Sequence, residues 1–306
     1  MSAELHDWID GVVAGHRQGG RVSEVRLKVE GGSVPMPAPP REQEAERPRD
    51  FHQAAPVPAS EAVPVAMVTN PDGTPYSILS RDPLKHYAQP IAVGYVHTGL
   101  VHEAFCKCLA MLVRADGNVV AMHSESSCNL PMNRNIVLQR FLESPREQGE
   151  WLLFLDTDIR FPAYTAATLL KVAVETEADI VAVPYQLTNG CSTFGTVAKN
   201  GGYNTQGRFT FDRAYLIDAA GTGCMMVSRK LLQRMKLAYH DLEPWPFCGY
   251  DRIEIGGKPD YSSEDYSLCK RARDIGARIV GYTGIVLSHL KTAPLVFAGL
   301  EDMAGK

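Results

Sequence analysis

Apolar and polar positions along this chain change character near Pro90. Beyond it, short unbroken apolar runs alternate with stretches of helical period. Ile91 to Val96, Asn118 to Met122, Trp151 to Leu155 and Asp179 to Pro184 read as strands, the unbroken runs as strands buried on both faces. Between them, Glu103 to Val113, Asn133 to Leu142 and Thr165 to Thr176 carry helical patterns, the last with Pro162 in its first turn or just before it. Strand and helix alternating at these spacings predict a largely parallel, doubly wound α/β sheet, whose ligands sit beyond the carboxyl ends of the strands. The run Trp151 to Leu155 stops abruptly at Asp156 and Asp158, so it delivers charge to such an end.

The second half is less regular. Thr193 to Val197, Arg208 to Asp212, Tyr215 to Ala219, Met225 to Val227, Arg278 to Gly281 and Ile285 to His289 read as strands, and Arg229 to Met235 and Glu264 to Ile275 as helices. Upstream, Glu4 to Ala14 reads as a short helix and Glu24 to Glu30 as a small alternating strand. Val34 to Pro64 is rich in Pro, Ala and Glu and reads as an extended, largely disordered tether. A turn at Asn70 to Gly73 suggests a small hairpin within 65–85. The resulting division is an N-terminal extension over 1–89, a main α/β domain over 90–298 and a C-terminal tail over 299–306.

The composition narrows the reading. At 306 residues and 45% hydrophobic, the chain can bury one large core. Its net charge of -4 provides no basic field, which argues against nucleic acid as a direct ligand. The seven cysteines show no paired knuckles and read as free thiols. With no signal-peptide pattern and no apolar run long enough to span a bilayer, a cytoplasmic location is expected.

Six features carry candidate chemistry. If the strand stays extended past Leu155, Asp156 and Asp158 point to one side with carboxylates about 7 Å apart, room for one divalent ion and a sugar diphosphate; ordinary loop acids are the competing reading. Gly221 and Gly223 let backbone approach a ligand, or simply mark a turn. Ser262 or Ser263 can cap a helix whose first turn holds Glu264 and Asp265, acids that the helix dipole alone would favour there. His289 ends an apolar strand, by default without a special task. Trp245 to Tyr250 offers aromatic faces to an acceptor, although a core or lid role for Trp245 and Phe247 fits equally. The Gly-containing loop from Cys248 to Tyr261 could close over a site.

In their joint order, Leu155-Asp-Thr-Asp158, Gly221-Thr-Gly223, Glu264-Asp265 and His289 resemble the GT-A class of nucleotide-sugar glycosyltransferases, especially its broad family 2-like group. The resemblance covers roughly residues 90–292. It implies a GT-A (Rossmann-like) α/β/α sandwich with a mostly parallel central sheet, preceded here by the Pro-rich region. It further implies a metal-dependent transfer from a nucleoside diphosphate sugar to a hydroxyl of a glycan, protein or small molecule, by single displacement with inversion. Carried over, Asp158 binds Mn²⁺ or Mg²⁺ under the diphosphate, Asp156 helps hold the ribose or the metal, and His289 completes the metal shell. Asp265 of the Glu264-Asp265 pair is the acceptor's base. His97 and Thr98 lie near the nucleotide base, and Arg134 in Asn133-Arg-Asn135 lies beside the diphosphate. The second strand ends in Met122-His-Ser-Glu125 where an Asp for the base is common, so Glu125 or Ser127 substitutes.

Two other readings compete. A haloacid dehalogenase-type phosphatase also presents Asp-x-Asp after an apolar strand, but near the start of its catalytic domain, whereas about 65 residues of strand and helix precede Asp156 here. The other is a catalytically inactive glycosyltransferase-like carbohydrate-binding module.

Overall fold

The computed structural model describes residues 65–78, 87–187, 191–205, 209–290, 294–296 and 300–301. The helix read at Glu4 to Ala14, the strand at Glu24 to Glu30 and the Pro-rich stretch to Pro64 lie outside the described residues, as does the 299–306 tail apart from 300–301. The first half contains β1 (Ile91–His97), α1 (Glu103–Ala115), β2 (Val119–Ser126), α2 (Leu130–Glu143), β3 (Trp151–Leu155), β4 (Ile159–Arg160), α3 (Thr165–Glu175) and β5 (Ile180–Ala182). Then come β6 (Phe194–Val197), β7 (Tyr203–Asn204), β8 (Phe209–Thr210), β9 (Ala214–Leu216), β10 (Ala219–Ala220), β11 (Cys224–Ser228) and α4 (Arg229–Ala238). After these follow β12 (Arg252–Ile255), β13 (Lys258–Tyr261), α5 (Glu264–Asp274), β14 (Ile279–Tyr282) and β15 (Ser288–Leu290).

The central sheet has seven strands in the order β2-β1-β3-β11-β5-β14-β9. β1 runs parallel to β2 and β3, β11 is antiparallel to both β3 and β5, β14 is parallel to β5, and β9 is antiparallel to β14. The sheet is therefore mostly parallel, with β11 and β9 reversed. Alternation along its strands builds two apolar layers. Ile91, Val93, Leu153 and Leu155 pack on one face with Phe105, Leu109 and Leu112 of α1 and Leu169, Val172 and Ala173 of α3. Ala92, Val96, Leu152 and Phe154 pack on the other with α2 (Val137, Leu138, Phe141), α4 (Leu231, Leu232, Met235) and α5 (Leu268, Cys269, Ala272). An α/β/α sandwich results, because the central apolar runs, β1, β3, β5 and β11, are buried between helix layers of matching period.

Polar side chains set the helix starts. Asn129 accepts from the Met132 amide to open α2, and Ser228 accepts from the Leu231 amide to open α4. At the β9 edge, residues 66–68 add alongside: the Val68 amide donates to the Ala214 carbonyl at 2.8 Å and the Leu216 amide to the Ala66 carbonyl at 2.8 Å. A turn at Asn70 to Thr74 brings the chain back, with the Tyr76 amide donating to the Val68 carbonyl. All seven cysteines are free. Among the described residues no helix is long and apolar enough to cross a membrane.

Candidate active site

The buried run of β3 ends at Leu155, and the chain then turns sharply. The Ile159 amide donates to the Asp156 carbonyl at 3.1 Å, while the Asp156 amide is tied to the Gly223 carbonyl at 3.0 Å. Extended alternation therefore does not continue through Asp-Thr-Asp. Each carboxylate finds its own partner. Asp156 accepts from Arg134 Nη2 at 3.2 Å, and Asp158 Oδ2 lies 3.2 Å from His289 Nε2.

Strand pairing is what brings His289 across 131 residues of chain. β15 runs antiparallel to β4, which starts directly after Asp158, so His289 stands opposite Ile159 and the Leu290 amide donates to the Asp158 carbonyl at 2.6 Å. The buried imidazole has Nδ1 3.1 Å from the Gln186 carbonyl. A neutral imidazole has one N–H; donated to Gln186, it leaves the Nε2 lone pair directed at Asp158. Two such donors 3.2 Å apart have the spacing of adjacent ligands on an octahedral ion, whose bonds of about 2.1 Å at right angles place neighbours about 3 Å apart. The carboxylate oxygen suits Mn²⁺ or Mg²⁺ and the imidazole nitrogen leans the choice towards Mn²⁺, so the pair fits an ion that takes its remaining ligands from water and phosphate. Among the described residues no three His, Cys, Asp or Glu side chains converge to hold a metal. Asp156, expected as a third ligand, accepts from Arg134 through Oδ1.

Arg134, four residues beyond the α2 start, is almost fully buried between Asp156 and Glu264, and pairs with both. Burial alone would lower the guanidinium; Asp156, Glu264 and Asp265 more than reverse that and hold it charged. Arg134, expected as a cation beside a diphosphate, joins the β3 turn to the first turn of α5. Its Nε has no partner among the described residues. Burial raises the Asp156 carboxyl, Arg134 opposes it, and the nearby Asp158 charge adds to the rise.

Asp265 is pushed up to about 6, by burial first and by Glu264 second, against Arg134 and two hydrogen bonds. Those bonds come from the Ser263 hydroxyl and, at 2.8 Å, the Tyr266 amide. Ser263 does occupy the cap position of α5, but its hydroxyl serves Asp265 rather than the helix amides.

The two glycines have a different reason from the one expected. A Cβ at Gly221 would stand 2.7 Å from the Tyr185 hydroxyl oxygen, and one at Gly223 would stand 2.7 Å from the Tyr185 ring. The space they open is filled by Tyr185, not left for a ligand. Tyr185 meets His289 edge to face, with ring centroids 5.2 Å apart at 77°. Sequence reasoning missed this residue, although its place just past the carboxyl end of β5 was the available signal.

The remaining candidates lie around this core. His97 ends β1, beside β3, and its Nδ1 accepts from the Gly99 amide at 3.1 Å; Thr98 is exposed. Trp245 is half-buried and its carbonyl accepts from Arg271 Nη1 at 2.5 Å. Phe247 is fully buried, the core role of the two left open, and Asn135 pins its amide and that of Cys248 at 3.1 and 3.3 Å. The segment from Cys248 to Tyr261 contains the β12–β13 hairpin, with exposed Tyr250 and Tyr261 near its base. Glu125 pairs with Arg140 at 2.8 Å, and the Ser127 hydroxyl donates to Asn133 at 2.6 Å.

No family model and no curated protein matches this chain. Solved structures similar to it include A197 from STIV, with TM-score 0.47 and 14% identity, covering 71% of this chain and 97% of that one. GalNAc-T7, solved with UDP, GalNAc and Mn²⁺, has TM-score 0.43 and 10% identity over 71% of this chain and 46% of that one. TarS 1-349 of S. aureus has TM-score 0.37 and 13% identity over 63% of this chain and 58% of that one. This chain spans about half the length of the latter two. The chain's own architecture is a mostly parallel sheet between two helix layers, with an acidic turn at the carboxyl edge of a central strand.

Proposed function

We propose that this chain is a glycosyltransferase that moves a sugar from a nucleoside diphosphate sugar to a hydroxyl of a glycan, protein or small-molecule acceptor, using Mn²⁺ or Mg²⁺. The observation that supports it best is the meeting, at one sheet edge, of the Asp158–His289 donor pair and the Asp265 carboxyl, coupled through Arg134. When bound at Asp158 and His289, a divalent ion supplies charge neutralisation at the departing diphosphate. Asp265, at about 6, is mostly ionised at neutral pH yet still basic enough to take a proton. It accepts the acceptor's hydroxyl proton as that oxygen bonds the anomeric carbon and the bond from that carbon to the diphosphate breaks. Asp156 and Glu264 are both held by Arg134, which leaves Asp265 as the acid for proton transfer and favours a single displacement with inversion. The same pairing disfavours a phosphatase reading, in which Asp156 would have to be a free nucleophile.

Incubation with a panel of nucleotide sugars, with Mn²⁺ and separately with Mg²⁺, tests the proposal. Release of nucleoside diphosphate from at least one donor, lost in Asp158→Ala, is expected. No release from any donor with either metal would refute it and leave the inactive carbohydrate-binding module.

A further inference from the structure

The β12–β13 hairpin has two unlike faces, set by alternation along its strands. Asp251 and Ile255 turn inward. Asp251 accepts from Nε, at 3.0 Å, and from Nη2 of the buried Arg271 in α5, and Ile255 Cδ1 lies 3.5 Å from where a Cβ at Gly202 would stand. Gly201 admits the hairpin backbone, since a Cβ there would stand 2.1 Å from the Glu254 carbonyl oxygen, and the Gly256 amide donates to the Asn200 carbonyl at 2.8 Å. The hairpin is thus pinned at its base and near its tip. Its other face is open: Tyr250, Arg252 and Glu254 alternate with the inward residues and are exposed, as are Pro259 and Tyr261, which stand opposite Glu254 and Arg252. Both tyrosines are 62% exposed. The pairing runs on past the last strand residues. The Ser262 amide donates to the Asp251 carbonyl at 2.9 Å, which sets Ser263 opposite Tyr250. The Ser263 hydroxyl donates to Asp265, so one cross-strand step separates Tyr250 from the side chain that holds the base. Tyr261 is the diagonal neighbour of Tyr250, at a spacing of about 7–8 Å.

The chemistry of this face selects what covers it. Two aromatic rings are interleaved with Arg252 and bordered by Glu254, so apolar plates alternate with a donor and an acceptor of hydrogen bonds. A stable protein partner needs a contiguous apolar centre, and the hairpin's isoleucines, which would supply one, alternate onto the inward face. A sugar ring matches both kinds of group: its C–H face lies on an aromatic plate, while its hydroxyl rim accepts from a guanidinium and donates to a carboxylate. On the proposed glycosyltransferase reading, on which this inference rests, we infer that the acceptor is an oligosaccharide, stacked on Tyr261 and Tyr250 so that its terminal hydroxyl reaches Asp265. Of a glycan, a protein and a small molecule, the chain of sugars is the acceptor that uses both rings and the base at once. Tyr250 and Tyr261 are thereby acceptor-specificity residues, acting through their ring faces.

Binding of the full chain to a printed array of oligosaccharides, with UDP and Mn²⁺ present, is measured for wild type and for Tyr250→Ala, Tyr261→Ala, Tyr250→Phe and Tyr261→Phe. Nucleoside diphosphate release from the donor panel is measured beside it. Both side chains are exposed, and a retained melting temperature checks that each variant folds. Wild type is expected to bind at least one oligosaccharide. Each Ala variant should lose about tenfold in affinity for it, the scale of one aromatic contact, and each Phe variant, which keeps the ring, should recover most of that loss. The same oligosaccharide, added as acceptor, should show its KM raised in the Ala variants by a similar factor, with kcat changed less. Release of nucleoside diphosphate by a wild type that binds no oligosaccharide would overturn the inference and leave the glycosyltransferase reading standing. Ala variants that bind as wild type does would also overturn it, and so would equal losses in Phe and Ala, which would assign the hydroxyls and not the faces. A wild type that releases nucleoside diphosphate from no donor would instead refute the reading on which the inference rests, whatever the array shows.

Discussion

Replacing Asp265 by Asn separates what the carboxyl does for catalysis from what it does to the fold. In the folded chain the group is pushed from 3.8 to about 6, chiefly by burial, with Glu264 adding and Arg134 opposing. The other ionisable groups within its reach are Tyr185, Tyr250, Tyr266, Cys248 and Cys269. Because the folded state binds this proton more tightly than the unfolded chain, folding takes up a proton between the two values, and stability falls as pH rises through that window. Below about 4 both states are protonated and nothing is lost; above about 6 the loss is complete. A shift of about two units corresponds to roughly 3 kcal/mol, and partial exposure of the side chain reduces this to about 1–3 kcal/mol. Asn can accept the same two hydrogen bonds and carries no charge. Asp265→Asn is therefore expected to be more stable than wild type by that amount at pH 7.5, with the gap closing towards pH 4, while turnover falls about 10²-fold or more. Urea unfolding at pH 4, 5, 6 and 7.5, beside nucleoside diphosphate release, measures both. A gap that ignores pH, or a variant less stable at pH 7.5, would refute the electrostatic argument; unchanged turnover would return Asp265 to the status of a helix-start acid.

Three further outcomes are expected. Arg134→Gln leaves the half-buried Asp156 and the buried Glu264 without their counter-charge and should cost about 3–5 kcal/mol in urea unfolding, whereas Arg134→Lys recovers part of it. Gly221→Ala should destabilise by about 1–3 kcal/mol through overpacking, and Tyr185→Phe in the same chain should recover most of the loss, because the atom in the way is the Tyr185 hydroxyl. Mn²⁺ with UDP should raise the melting temperature of wild type, by linkage to binding, and should fail to do so in Asp158→Asn and His289→Ala; a retained response in both variants would remove these two residues from the metal site.

The parts of the fold legible in advance were those that one segment decides alone. Trp151 to Leu155 is unbroken and apolar, and the structure buries all five residues. Cys224 to Ser228 is buried in the same way, yet nothing in its sequence tells that it runs against β3 and β5, because a strand covered on both faces reads alike in either direction. The site divides along the same line. Acids at a strand end and at a helix start are local facts. What each acid touches is not: Asp156 meets Arg134 from 22 residues away, and Glu264 meets the same guanidinium from 130. An arginine at a helix start reads as a solvated charge until three carboxylates from other elements converge on it. Likewise a glycine announces that something comes close without saying what, and here the close object is Tyr185 rather than a ligand. Local pattern therefore locates the edge where chemistry can occur, and strand pairing determines which residues act together there. His289 is the clearest case, since it reaches Asp158 because β15 pairs with β4 and for no reason written in its own neighbourhood of the chain.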